Sequence, residues 1–452
     1  VSGNTNPPHA NKNKWRMFRR WFEPGIGVKR WLGLMIVGTA LIGLGVAIVL
    51  LDIYRQYPNS PWLALLALSA WPRWLRAVFF GTSGVAVFLI GFFYLYRTLL
   101  TPYMRAGEPL VQRVAEYRRL GRGPKIVAIG GGTGLATLLR GLKQHSGNLT
   151  AVVTVADDGG SSGRLRRSMG LLPPGDLRNC MAALSDDEDL LTQLFHYRFS
   201  EGDDLTGHSF GNLFIAAMAG VKGSFDQGIL AAGKVLAIRG RVVPATLANV
   251  SLVADLMPEL NAHSIRIKGE SSITAHPGSI LRVNLEPKDP PAYPAAIHAI
   301  LHADMILIGP GSLFTSVIPP LLVSDVADAI RTSKAFKVYV CNVATQPGET
   351  DGFDMQAHLQ ALEEHVGGNL VDLMVMNNDT RGALPEGVSW VLESPGRKAM
   401  VPAYATNFRA EETPWQHDPY KLAFTLMALL EERTGPLDIS LVTNEKPRND
   451  LN

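Results

Sequence analysis

The sequence predicts an α/β protein: an open, mainly parallel sheet with an inserted antiparallel β subdomain, preceded by a two-helix transmembrane hairpin. Two long runs near the N-terminus carry no charge, and from Lys125 onward short Val/Ile/Leu runs alternate with helix-spaced patterns. That rhythm breaks between Gly240 and Pro287. The 452 residues are 46% hydrophobic and 18% charged, with a mean hydropathy of +0.09, which excludes disorder as the main state. Two cysteines, Cys180 and Cys341, cannot frame a disulfide scaffold or a multi-Cys zinc module.

Residues 1–30 read as a polar, basic leader facing the cytoplasm. Trp31–Leu51 holds 21 residues without a charge, and Ala77–Tyr96 holds 20 more. About 20 apolar residues cross a hydrocarbon core of about 30 Å, so helices are expected over 31–51 and 77–100. The length of the first run, its basic leader and the second run disfavour a cleavable signal peptide. Residues 1–125 carry 17 Lys/Arg against 4 Asp/Glu, most of them flanking the hairpin on its two ends. The positive-inside rule then places both termini and the main domain in the cytoplasm, on a bacterial plasma (inner) membrane crossed more than once. The basic excess has a membrane explanation and gives no argument for nucleic acid.

A polar connector, 101–123, ends at the punctuation Gly121-Arg122-Gly123-Pro124, and a nucleotide-binding α/β domain is expected over 124–435. Strands are predicted at Lys125–Ile129, Ala151–Val155, Met305–Gly309, Lys337–Cys341 and Leu373–Met376, with helical segments between them. Uninterrupted apolar strands joined by crossover helices imply a parallel sheet covered on both faces. Arg241–Pro244, Ser264–Lys268 and Ile280–Leu285 alternate and are bounded by turn residues, which suggests the antiparallel insertion. Residues 436–452 read as a loose polar tail.

Open parallel sheets bind ligands beyond the carboxyl ends of their strands. There the first strand meets Gly130, Gly131, Gly132, Thr133 and Gly134, followed by a helix: glycines admit a phosphate, and helix N–H groups hold it. Leu135 stands where the dinucleotide fingerprint wants its last glycine, which weakens an NAD reading. The plain alternative is a tight strand–helix turn. The second strand leads to Asp157 and Asp158, suited to ribose hydroxyls or to Mg²⁺ beside a diphosphate, or else a solvated turn. Asp176 reads as a helix N-cap, Asn212 as a polar group at a helix start, and His208 as a general base or a structural His. Gly309, Gly311 and Ser312 form a second glycine turn before a helix, a second anion site, and Asn342 follows the next strand. Gly228–Lys234 imitates a phosphate loop, but Val235 replaces the Mg²⁺-binding hydroxyl.

In order along the chain stand GGGTGLATLLRGLK, VADDGGSSGRLR, PPGDLRN, GHSFGNL, GPGSLFTS and NVATQPGETDGF. Together these motifs, from about Pro124 to Arg433, resemble the gluconeogenesis factor family (YvcK-like), in the group that includes 2-phospho-L-lactate transferase (CofD-like). The resemblance implies a Rossmann-like domain binding a nucleoside diphosphate compound. In the gluconeogenesis factor branch that compound is a UDP-sugar, and the role links gluconeogenic carbon flow to cell shape and envelope synthesis. The transferase branch instead moves a lactyl-2-phosphate group from a guanosine diphosphate donor, with Mg²⁺. The site residues above become ligand candidates by motif correspondence, with Asp157 and Asp158 the candidates for Mg²⁺; no catalytic residue is carried over. Envelope-synthesis proteins are the implied partners, and homo-oligomers remain open.

Overall fold

The computed structural model describes residues 71–100, 116, 118–186, 188–202, 204–258, 263–393 and 401–435, with scattered positions between 36 and 68. It divides into two units, one ending at Arg118 and one beginning at Arg119. The leader 1–30, most of the connector 101–123 and the tail 436–452 lie outside the described residues.

In the first unit, helix α1 runs from Arg73 to Leu100. Its segment Trp74–Tyr94 has a mean hydropathy of 1.9, is long and apolar enough to cross a bilayer, and is unburied. Val87, Phe93 and Tyr94 are all exposed, and a helix apolar on every side suits a membrane interior. The other predicted span, Trp31–Leu51, is described only at scattered helical positions. Among the described residues, one helix is long and apolar enough to cross a membrane; the rest of the predicted hairpin lies largely outside them.

The second unit begins with β1 (Ile126–Gly130), α2 (Gly132–Leu142) and β2 (Leu149–Val153). Five helices follow: α3 (Gly160–Met169), α4 (Gly175–Leu184), α5 (Glu188–His196), α6 (Phe210–Lys222) and α7 (Phe225–Val235). Then come β3 (Arg241–Pro244), β4 (Ser251–Met257), β5 (Ile265–Lys268), α8 (Glu270–Ala275) and β6 (Ser279–Glu286). The chain continues through α9 (Pro294–Leu301), β7 (Met305–Ile308), α10 (Ile318–Leu321), α11 (Ser324–Thr332), β8 (Phe336–Val340), α12 (Met355–Val366), β9 (Leu373–Asn377), β10 (Ala403–Thr406) and α13 (Pro419–Thr434).

Seven strands pair in the order β10-β9-β8-β7-β1-β2-β3, every neighbour parallel. Counted within the sheet this is the doubly wound order, and it reverses between β1 and β7. Every residue of β1 and β7 is buried, so the sheet centre is covered on both faces. Leu135, Leu138, Leu139 and Leu142 place the buried stripe of α2 against this core, each adding about 1.5–3 kcal/mol by its burial.

A separate antiparallel sheet, β5-β4-β6, forms the insertion. Arg241–Pro244 does not belong to it: β3 pairs parallel with β2 at the edge of the main sheet. Four residues are too few to establish a period, and a helical crossover precedes this run, which is the parallel-strand arrangement. The insertion's central strand, β4, and the exposed edge strand β10 escape the sequence reading.

Candidate functional site

The reversal between β1 and β7 brings the two glycine turns together. Gly132 holds φ at +64°, a conformation that glycine reaches without strain, and starts α2 there. A Cβ on Gly134 would stand 2.6 Å from the Pro310 carbonyl oxygen, so glycine lets the turns touch. The N-cap of α2, Gly131, has no side chain to offer its first N–H groups. Its N-terminus faces a cavity of about 350 Å³ lined by Thr133, Ser312, Ser316, Gln346, Trp415 and His417, among others.

The second turn is held from β8 and the loop beyond it. Asn342 accepts from Gly311 N–H at 3.1 Å and donates to Gly311 O at 2.8 Å, and Gln346 Nε2 donates to Ser312 Oγ at 2.7 Å. Gly311 and Ser312 still line the cavity. Glu349 accepts from Phe314 N–H at 3.3 Å and from Thr315 Oγ1 at 3.0 Å, at the head of a π-type turn, Leu313–Val317. Burial pushes its carboxyl above the usual range, while these hydrogen bonds pull it back. Asn342 is thus a clamp on the turn rather than an open donor.

Two polar atoms in the cavity wall have no partner. They are Gln346 Oε1 and His417 Nε2, both enclosed. Burial lowers the His417 pKa to about 4, so its ring is neutral at pH 7. Unpartnered buried polar atoms are costly and call for a ligand or water.

Beside the first turn lies a second, polar cavity of about 240 Å³ beyond β2, lined by Asp157, Ser162, Asp176, Arg178, Arg198 and Asn212. Asp176 links the two cavities. It sits in the first turn of α4 rather than at its N-cap, which is Pro174. Its carboxyl accepts the Gly132 N–H, and burial with Asp157 nearby pushes its pKa up to about 6. Arg178 donates to Ser209 Oγ at 2.7 Å and to Asn212 Oδ1 at 3.2 Å, and Asn212 Nδ2 donates to Ser162 Oγ at 3.3 Å. His208 Nδ1 lies 3.0 Å from Ser161 Oγ at the start of α3.

The Asp157–Asp158 pair splits. Asp157 accepts from Gly159 N–H at 2.8 Å, and burial raises its pKa. Asp158 turns to the insertion and accepts from Ser271 N–H at 2.9 Å and Ser271 Oγ at 2.8 Å. Among the described residues, no three His, Cys, Asp or Glu side chains are grouped to hold a metal ion. The two aspartates alone make no metal cage; a Mg²⁺ ion there needs oxygens from a diphosphate. The neighbouring Glu270 has an enclosed, unpartnered Oε2. Burial, then the charges of Asp157, Asp176, Glu349 and Asp158, push its pKa up to about 9.

Sequence reading misses Glu270, Gln346, Glu349, Trp415, His417 and Arg178. Arg178, Gln346 and Glu349 lie inside motifs singled out above, so their signal is present but their roles are not. Glu270 begins a short helix in the insertion, and His417 sits in an irregular loop with no local pattern.

The family model described as 2-phospho-L-lactate transferase CofD matches residues 126–387. The chain is 42% identical over 331 residues to the gluconeogenesis factor of Bacillus subtilis, covering 69% of this chain and 100% of that one. It is 50% identical over 367 residues to a relative from a Nostoc species, covering 78% and 77%. The crystal structure of a UPF0052-family protein from Bacillus halodurans superposes with a TM-score of 0.62 at 41% identity, covering 68% of this chain and 99% of that one.

Proposed function

The chain belongs to the gluconeogenesis factor family, with a CofD-like domain, and from that membership we propose that it binds a nucleoside diphosphate-sugar of the UDP-sugar class between its two glycine turns. The observation that carries this reading is the pair of unpartnered atoms, Gln346 Oε1 and His417 Nε2, in a cavity at the start of α2. A neutral His417 offers an acceptor to the N–H edge of a base. The α2 N-terminus suits a diphosphate. The polar cavity at Asp157, Arg178 and Asn212 suits sugar hydroxyls, and Mg²⁺ enters only with the diphosphate.

In this reading the protein is a regulator linking gluconeogenic carbon flow to cell shape and envelope synthesis. Helix α1 tethers it to the bacterial plasma membrane, and the α/β domain faces the cytoplasm, where nucleotide-sugars are made. Titrating the full chain in detergent with UDP-sugars, GDP and NAD tests the binding step. A UDP-sugar at about 100 times its Kd should add about 2.7 kcal/mol of stability. No stabilisation by any of the three classes would overturn the reading.

A second reading is a transferase acting on a nucleoside diphosphate donor. It draws on the family-model match, which spans the polar cavity and the glycine turns, and on Glu270, held protonated beside Asp157. Transfer of lactyl-2-phosphate from a guanosine diphosphate donor to a deazaflavin acceptor would establish it. UDP-sugar binding without turnover would favour the regulator.

A further inference from the structure

At the opposite edge of the main sheet, where β1, β2 and β3 begin, lies a cavity of about 470 Å³ that the nucleotide reading does not use. The register pairs Ile126 with Leu149 and Thr150 with Arg241, so Lys125 and Arg241 stand at the same end of the sheet, on either side of β2. His298 and His302, one turn apart on α9 and its C-cap, complete the polar wall; their rings stack at 4.2 Å. The lining contains no Asp or Glu. Two acids border the lining and are bound to it: Asp304 accepts the Lys125 backbone N–H, and Asp226 accepts the Tyr293 hydroxyl. Among the described residues, the Lys125 ammonium and the Arg241 guanidinium have no hydrogen bond or ion pair, and both side chains are exposed. The remaining wall mixes apolar side chains such as Leu230 and Ala295 with polar Asn148, Thr150 and Tyr293.

We propose that this cavity is a second ligand site, for an organic phosphate whose anionic head is held by Lys125 and Arg241. Two unpaired cations in a lining of mixed polar and apolar groups without a carboxylate match a ligand with an anionic head and an organic body. Arg offers a two-pronged donor to phosphate oxygens, and Lys adds a point charge. Helix C-termini carry partial negative charge, and α9 ends at this edge, so the cationic side chains must supply the attraction themselves. The same phosphate chemistry is presented by a soluble phosphate ester and by an anionic lipid headgroup.

The experiment uses the full chain in phosphatidylcholine nanodiscs, titrated with phenyl phosphate and followed by phosphorus NMR. Saturable binding is expected. The Lys125→Ala/Arg241→Ala double variant should weaken it about tenfold or more, because charge-assisted hydrogen bonds are lost. UDP-sugar binding and the thermal midpoint of that variant should stay at the parent values, which excludes misfolding. A parallel titration in nanodiscs containing phosphatidylglycerol separates the two sources. Competition by the lipid assigns the site to a headgroup, and no competition assigns it to a soluble ester. No saturable phenyl phosphate binding, or binding unchanged in the double variant, overturns the proposal and leaves these cations only to offset helix C-termini.

Discussion

Glu349 holds the π-type turn that follows the second glycine turn. Its carboxylate takes the Phe314 N–H and the Thr315 hydroxyl, 35 and 34 residues away in the chain. Glu349→Ala should therefore destabilise the fold by about 1–3 kcal/mol, with Glu349→Gln losing less; urea denaturation measures both. Glu270 makes a prediction of a different sign. Its pKa rises from 4.5 to about 9 on folding. Between those values the unfolded chain has released a proton that the folded chain keeps, so its contribution to stability falls as pH rises through that window. Glu270→Gln should stabilise the protein at pH 8 by about 1–3 kcal/mol, the scale of an unsatisfied buried group, and change little at pH 4. Equal effects at both pH values would remove Glu270 from the carboxylate cluster. Neither role is legible in sequence, because a carboxylate's environment is set by whatever segments fold around it.

Among the elements, the first glycine turn is where sequence and structure agree most closely on position, since a run of glycines before a helix is a local signal. Its steric purpose is not local. Gly134→Ala would place a Cβ 2.6 Å from the Pro310 backbone oxygen, and backbone cannot swing aside as a flexible side chain can. A loss of about 1–3 kcal/mol in urea is expected, together with weaker UDP-sugar binding as the cavity is reshaped. Asp158 ties a different pair of elements, the loop after β2 and helix α8, through Ser271. Asp158→Ala should raise amide exchange in 265–275 before it affects the main sheet. An exchange pattern identical to the parent would mean that the insertion is held by other contacts.

For the whole molecule, the decisive feature is α1, whose apolar residues lie exposed along 21 residues. Membrane fractions should retain the full chain through a high-salt wash and release it in detergent. Fourteen Lys/Arg flank the predicted hairpin on its terminal sides and three lie in its loop. Reporter fusions at Asn59 and at the C-terminus should accordingly read outside and inside. A C-terminal reporter active only outside would overturn the topology and deprive the domain of cytosolic nucleotide-sugar.

The sequence by itself determined the α/β class, the long apolar helix, the glycine turns at the strand ends and the family. All of these depend on local composition, periodicity or contiguous motifs. Only the tertiary structure decided that β3 extends the parallel sheet, that Asp158 faces the insertion, and that Glu349 binds the start of the π-type turn. It alone brought Gln346 and His417 to one wall with unmet hydrogen-bonding capacity. The reason is that burial and partnership belong to pairs of distant segments, and the chain's order along its length does not encode their distance in space.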